Sequence, residues 1–329
     1  MKLGVVLLQM GGPASTGEVK PFLRNLFSDP DIIDMPLGAL FRPLIARIIA
    51  SRRAPRVARL YEEIGGGSPI GETTLRQAAA LEKQLGYEWE TRTVVAMRYC
   101  RPDTGDAIDA LVPFDPGLVV LLPLYPHYSS TTTGSSFNEW ERALARSGVR
   151  FRRVIRIESY HTYPLYLDSL IEKINDRLAE YDEARRHRTH ILFSAHGLPV
   201  RTVERGDPYK DQIEETVYAV MARGRFENPW SLAFQSRVGP VKWLEPFTQV
   251  EIERLARTGV DSVLVVPVSF VSDHLETLHE IGIEIRDHAH AAGIRHYELT
   301  RALDDSPRFI TALRNLVSDR IAAEAGGAR

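Results

Sequence analysis

The sequence predicts an α/β protein of two similar Rossmann-like domains, each a mainly parallel four-stranded sheet flanked by helices, with the active-site cleft between them. Three observations carry that expectation. Eight short apolar runs, rich in β-branched residues, recur along the 329 residues; apolar without alternation, they suit strands buried on both faces of a parallel sheet. Helical patterns lie between them, and strand alternating with helix marks a doubly wound fold. Three strand ends of the first half, Met10-Gly11-Gly12-Pro13, Met97-Arg98-Tyr99 and Pro123-Leu124-Tyr125, also echo three of the second in the same order. Those are His196-Gly197-Leu198-Pro199, Gln235-Ser236-Arg237 and Pro267-Val268-Ser269-Phe270. At roughly 100–200 residues per domain the length fits two domains. The expected division is residues 1–158, residues 159–305 and a final helix, 306–329, packing back on the first domain.

Taken in order, the first strand is Leu3–Leu8, followed by a helix over Gly17–Phe27. In Pro36–Tyr61, Leu37, Leu40, Phe41, Leu44, Ile45, Ile48 and Ile49 repeat at helical spacing, with Pro43 expected to break the run and start the helix proper. Leu75–Leu85 is the next helix, then come strands at Thr93–Met97, Leu118–Leu124 and Val154–Ile157. The second half reads as helix Tyr163–Tyr181, strand Ile191–Phe193, helix Asp211–Ala222 and strand Leu232–Phe234. Helix Phe247–Thr258, strand Val263–Val268, helix His274–Ala291, strand His296–Leu299 and helix Pro307–Ala323 complete it.

Composition narrows the function. Lys and Arg number 41 against 43 Asp and Glu, a formal charge of −2; gripping a nucleic-acid backbone needs a large positive excess. With Cys100 as the one cysteine, an internal disulfide, a zinc ribbon and a four-cysteine iron–sulfur cluster are excluded, and a cytoplasmic setting is compatible. No apolar stretch approaches the roughly 18–20 residues that span a bilayer. Met1-Lys2-Leu3 runs straight into a strand-like segment without a cleavage site, so the mature protein is expected to start there.

Open α/β sheets bind ligands beyond the carboxyl ends of their strands. There lie Gln9, Arg98, Tyr99, Tyr125, His127, His196, Gln235, Ser236, Asp273, His274 and Glu276. His196 is either a proton acceptor or metal ligand, or a capping histidine in a strand-to-helix loop. At 100° per residue Asp273, Glu276, Glu280, Glu284 and Asp287 form one stripe opposite Leu275, Leu278, Ile281 and Ile285. Such a stripe is a solvated face or a path for a divalent cation. The segment Pro36–Tyr61 carries Arg42, Arg47, Arg52, Arg53, Arg56 and Arg59 and no acid; it is an ordinary core helix with a basic exit, or a surface for an anionic membrane or an apolar anion.

Other features are weaker. Gly65-Gly66-Gly67-Ser68-Pro69 lacks the P-loop lysine, and neither G-x-S-x-G nor H-E-x-x-H occurs. Gly134-Ser135-Ser136 is a carboxylate cradle or a helix start. His187, His190, His288 and His290 suit solvated helix ends, and nothing nearby marks Cys100 as a nucleophile.

Along nearly its whole length the sequence resembles a ferrochelatase of the bacterial, cluster-free type. The resemblance rests on Leu8–Pro13, Tyr61–Ile70, Arg98-Tyr99, Leu124–Ser135, Ser194–Pro199 with Gly206–Tyr209, Gln235–Pro240 with Trp243-Leu244, and Ser272–Leu278. It implies a lyase inserting Fe²⁺ into protoporphyrin IX to give protohaem, the last step of haem biosynthesis, with two protons released. It also implies that His196 and Glu276 contact the metal, that His274 supports them, and that Asp273, Glu280 and Glu284 continue as a relay. The helix at the glutamate is expected to widen to a π-type winding, which often marks functional sites. Residues 36–53 correspond to a lip over the porphyrin, with peripheral contact to the inner membrane or to the preceding porphyrin-pathway enzyme. Expected porphyrin contacts are Arg52, Arg53 and Ser68 at the propionates, Arg98 and Tyr99 at the opposite face, and Met10, Tyr61, Tyr125, Ser129 and Trp243. Iron is substrate, so no resident cofactor is expected. Met10 stands where relatives that use coproporphyrin III tend to have tyrosine, which leans toward protoporphyrin. The alternatives are a coproporphyrin III ferrochelatase, another tetrapyrrole chelatase of this fold, and a tetrapyrrole-binding carrier.

Overall fold

The computed structural model describes residues 1–32, 38–237, 239 and 241–326, and of residues 38–40 the backbone. Pro36 and Leu37, the side chain of Leu40, and Val238 and Pro240 of the Gln235–Pro240 motif lie outside the described residues. The chain forms two compact units, Met1–Ser159 with Asp304–Arg329, and Tyr160–Leu303.

The first unit runs β1 (Lys2–Gln9), a 3-10 turn (Thr16–Glu18), α1 (Val19–Ser28), α2 (Gly38–Glu63), α3 (Ile70–Leu85), β2 (Glu90–Met97) and α4 (Thr104–Leu111). β3 (Leu118–Pro123), a π-wound turn (Ser130–Gly134), α5 (Ser135–Ser147) and β4 (Val154–Arg156) follow. The strands lie in the order β2-β1-β3-β4, all parallel. All six residues of β3 are buried, because a central parallel strand is covered on both faces. On one face Val6, Leu8, Val119 and Leu121 pack with Ile108 of α4 and with Phe137 and Trp140 of α5.

The second unit runs α6 (Pro164–Ala179), α7 (Glu183–Arg188), β5 (His190–His196), α8 (Val200–Glu204), α9 (Tyr209–Gly224), β6 (Trp230–Gln235) and α10 (Thr248–Arg257). β7 (Ser262–Pro267), a π-helix (Glu276–Ile285), α11 (Arg286–Ala292) and β8 (His296–Leu299) complete it. Its order, β6-β5-β7-β8, again all parallel, repeats that of the first unit. The edges repeat too: Met97 pairs with Asp103 and Phe234 with Phe247 through isolated parallel bridges, each covering the carboxyl end of an exposed edge strand. α12 (Pro307–Gly326) packs on α3, and Gln77 Nε2 donates to the Asp304 carbonyl at 2.8 Å.

Pro43 does not interrupt α2, which runs from Gly38 to Glu63 with Pro43 and Pro55 inside it. A proline in the second turn removes one backbone bond, and burial of Ala46 and Ala50, both 0% exposed, keeps the helix against α1. The expected helix His274–Ala291 is π-wound over Glu276–Ile285 before α11 begins. α4, α7 and α8 are too short, at eight, six and five residues, to show a period in sequence. α4 instead carries a reciprocal capping box between Asp103 and Asp106.

His190, first residue of β5, is 5% exposed and its Nε2 contacts Ser231 Oγ at 2.8 Å. Burial lowers its pKa to about 4, against the opposing pull of Glu251. The unfolded chain therefore binds a proton below about pH 6.5 that the native chain refuses. The stabilisation is full above that pH and is lost as pH falls to about 4, at most about 3 kcal/mol. Urea midpoints across this range should fall more steeply for the wild type than for His190→Gln. An imidazole titrating at 6.5 or above by NMR would contradict this.

Candidate active site

The second unit gathers its polar strand ends around His196, the last residue of β5. The backbone holds this residue from both sides. Its N–H donates to Ser269 Oγ at 2.9 Å, and its carbonyl accepts from the buried Tyr209 hydroxyl at 3.0 Å. The next residue must be glycine, because a Cβ at Gly197 would stand 2.9 Å from the Gln235 carbonyl. The imidazole meets Phe270 edge-on at 6.3 Å, and its Nδ1 lies 2.8 Å from Glu276 Oε2. A carboxylate partner fixes the proton on Nδ1. That leaves Nε2 for a ligand on a side chain 35% exposed.

Glu276 opens the π-helix. Ser236, just past β6, donates its hydroxyl to Glu276 Oε2 at 3.1 Å and its N–H to Glu280 Oε1 at 2.9 Å; the same hydroxyl contacts Glu280 Oε2. Burial alone would raise the Glu276 carboxyl, but His196, His274 and Ser236 bring it down to about 2. Burial likewise pushes the His196 imidazole down, and the Glu276 carboxylate, aided by Glu280, outweighs it and raises it. Burial and the neighbouring Glu276 charge push Glu280 up. The site thus holds one firmly ionised carboxylate beside a strengthened base.

His274 is buried, its pKa lowered by that burial, and its Nδ1 lies 3.1 Å from the Ser272 carbonyl. Phe270 packs on its ring at 4.3 Å. Asp273 accepts from Thr277 Oγ1 at 2.8 Å, and burial raises its pKa.

The acidic stripe does not continue as one line. Glu276 and Glu280 turn to Ser236, whereas the Glu284 side chain is 47% exposed with His279 at 3.7 Å, and Asp287 is 63% exposed beside Arg286. π winding bonds i to i+5 and reverses the angular drift between residues four apart, and Glu284 lies beside His279 rather than on Ser236. Among the described residues no three His, Cys, Asp or Glu side chains form a group that could hold a metal ion. His196 and Glu276 stand as an open pair.

In the first unit, Arg98 and Tyr99 engage Asp29. Arg98 pairs with Asp29, Arg98 Nε donates to Ser135 Oγ at 2.9 Å, and the Tyr99 hydroxyl donates to Asp29 Oδ2 at 2.6 Å. Ser135 Oγ lies 2.8 Å from the same oxygen. Asp29 is 3% and Tyr99 4% exposed. Burial opposes ionisation of Asp29, yet Tyr99, Arg98, the Asp31 amide and Ser135 together hold its pKa below the usual value. Ser135 of the Gly134-Ser135-Ser136 cradle therefore meets a carboxylate of its own chain, and the Tyr99 hydroxyl is committed to the same Asp29.

Ser129 is 0% and Tyr61 4% exposed, so these expected contacts face the interior, Ser129 as the cap of the π-wound turn. Ser68 is packed so close to Gly12 that a Cβ there would stand 2.7 Å away. Met10 is half-buried, its N–H donating to Gln9 Oε1 at 2.9 Å. Tyr125 is half-buried, and burial pushes its phenol up. Trp243 is half-buried, pairs with Pro199 and lies against Gly197. Arg52 and Arg53 are exposed, Arg53 over the Phe27 ring at 5.5 Å.

Sequence reasoning gave no role to Asp29, Tyr209, Ser269 or Phe270. The last three lie in segments already singled out, at strand ends or in the Gly206–Tyr209 motif. Asp29 carries no sequence signal.

A family model described as Ferrochelatase matches residues 2–321. Proteins named ferrochelatase are similar over almost the full length of both chains. That of Geobacter metallireducens is 50% identical over 317 residues, covering 96% of this chain and 98% of its own. Those of Geotalea uraniireducens and Aquifex aeolicus are 48% and 43% identical, covering 98% of this chain and 99% and 100% of theirs. Among solved structures, SirB from Bacillus subtilis with Fe³⁺ has a TM-score of 0.56 at 12% identity, covering 99% of this chain and 98% of its own. CbiX, the terminal enzyme for siroheme biosynthesis in denitrifying bacteria, has 0.51 at 11%, covering 97% and 99%. These two likenesses show the shared chelatase-type fold.

Removing the Asp29 carboxylate leaves the Arg98 guanidinium, 10% exposed, without its nearest counter-charge. Asp29→Ala should lose about 3–5 kcal/mol of stability in urea unfolding. Tyr99→Phe should lose about 1–2 kcal/mol. An Asp29→Ala midpoint equal to wild type would refute the network's role.

Proposed function

The chain belongs to the ferrochelatase family, and from that premise we propose that it inserts Fe²⁺ into protoporphyrin IX at His196 and Glu276. The chain is a ferrochelatase, a lyase-type enzyme of haem synthesis whose substrates are a porphyrin and iron. The finer assignments rest on one observation above all: Nδ1 of His196 is taken by Glu276, so Nε2 is left for the reacting partner.

The reaction exchanges two pyrrole N–H protons for one Fe²⁺ and yields protohaem. A planar porphyrin hides its nitrogen lone pairs, so binding energy from the periphery of the macrocycle must supply the distortion that admits the metal. His196 Nε2 accepts the two pyrrole protons in turn, passing the first to solvent through its exposed edge before it takes the second. The Glu276 carboxylate strengthens that base and stabilises the imidazolium that results. While its Nε2 is unprotonated, the imidazole with the carboxylate is also a suitable transient set for Fe²⁺, and two ligands hold it weakly enough for release. His274, packed on Phe270, supports the ring of residues around the pair. Arg52 and Arg53 are the propionate contacts this reading favours, since their guanidinium groups are exposed. The chemistry needs no resident cofactor.

A cytoplasmic enzyme docked peripherally on a membrane fits α2. Phe41, Leu44 and Ile48 are 54%, 57% and 44% exposed at helical spacing, amid arginines and without an acid from residue 38 to 61. Among the described residues no helix is long and apolar enough to cross a membrane.

His196→Ala should leave porphyrin binding, followed by its Soret shift, within about threefold of wild type, and reduce insertion at least about 10²-fold. Lost binding with unchanged insertion per bound porphyrin would overturn the role of His196. Protoporphyrin IX should turn over faster than coproporphyrin III; the reverse order of initial rates would overturn the substrate assignment. In flotation with anionic liposomes, Asn at Phe41, Leu44 and Ile48 together should release the protein. Unchanged flotation would remove the membrane reading.

A further inference from the structure

Ser236 stands in the left-handed region at φ 61, where glycine is at ease and a side chain is disfavoured. Compared with glycine, the side chain brings only Cβ and a hydroxyl. That hydroxyl reaches Glu276 Oε2 at 3.1 Å and also contacts Glu280. Glu276 Oε2 is the oxygen already in contact with His196 Nδ1. Two donors therefore converge on one carboxylate oxygen, and Oε1 of Glu276 is the one they leave unengaged. Glu280 is held differently, with one oxygen on the Ser236 N–H and the other on its hydroxyl.

We propose that Ser236 is a positioning residue for the metal step: its single hydroxyl proton, shared between Glu276 Oε2 and Glu280 Oε2, braces the first beside His196 while its N–H holds the other Glu280 oxygen, and so Glu276 Oε1 is presented to the incoming divalent cation. A carboxylate held by one donor rotates about its terminal torsion, which is broad and roughly two-fold, and exchanges its oxygens. Held by two, it offers a single oxygen in one direction. This preorganises a weak two-ligand site whose affinity depends on geometry rather than on ligand number. The tight turn supplies the direction, since the same backbone conformation that points the N–H at Glu280 brings the hydroxyl between the two acids.

The inference rests on the reading of His196 and Glu276 as the metal pair, and three variants separate the two. Ser236→Gly keeps the turn and the main-chain N–H while removing the hydroxyl; Ser236→Ala removes the hydroxyl and keeps the side-chain crowding. Both should raise the KM for Fe²⁺ about tenfold with the KM for porphyrin within twofold, and both should weaken Co²⁺ binding measured calorimetrically without porphyrin. The Gly variant should keep the wild-type Tm, so that the effect is not loss of fold. Wild-type Fe²⁺ KM and Co²⁺ affinity in Ser236→Gly, alongside a His196→Ala variant that no longer inserts metal, would overturn this inference alone. Equal losses in the two substrate KM values, or a fall in kcat only, would also overturn it. Full insertion by His196→Ala would overturn the underlying reading of the pair.

Discussion

The charge-assisted contact between His196 Nδ1 and Glu276 Oε2 organises the polar strand ends of the second unit, because it decides which imidazole nitrogen is free. It joins residues 80 positions apart and forms only if the end of β5 and the start of the π-helix meet at a fixed distance. Several constraints serve that meeting. Ser269 and Tyr209 pin the His196 backbone, Gly197 lets the chain pass close to Gln235, and Ser236 holds the carboxylate. A buried ion pair is worth little to stability by itself; here its value lies in orientation.

The two units answer the same topological situation in opposite ways. Both have parallel sheets of the same strand order and carry polar residues just beyond the strand ends. In the second unit the imidazole keeps one nitrogen for a ligand. In the first, Asp29 satisfies Arg98, Tyr99 and Ser135 together, and the equivalent rim becomes a buried structural network. A repeated architecture thus supplies the same rim twice, and individual side chains decide what each rim holds.

The π-helix shows the same division at finer scale. Its wide winding sets Glu276 and Glu280 on Ser236 and sends Glu284 and Asp287 toward solvent. Burial and the nearby Glu276 charge raise Glu280, whereas His196, His274 and Ser236 bring Glu276 down against its own burial. Five like charges in a straight stripe would have repelled one another at each turn.

The parallel sheets, the order of the elements and the strand-end positions of His196 and Glu276 were legible in the sequence, because buried strands and strand-end residues leave local signatures: unbroken apolar runs closed by Gly and polar residues. The family resemblance added the metal, the porphyrin and the π winding. Only the tertiary structure decided what those side chains touch. Asp29 had no pattern to mark it, since its meaning comes from Arg98, Tyr99 and Ser135, each about seventy to a hundred residues away in sequence. Tyr61, Tyr99 and Ser129 stood out by motif, and packing buries all three. Pro43 looked like a break because helix rules are local, while burial of Ala46 and Ala50 against α1 is not. Local pattern determines which elements form and where their ends lie; long-range contact determines which end residues remain free to react.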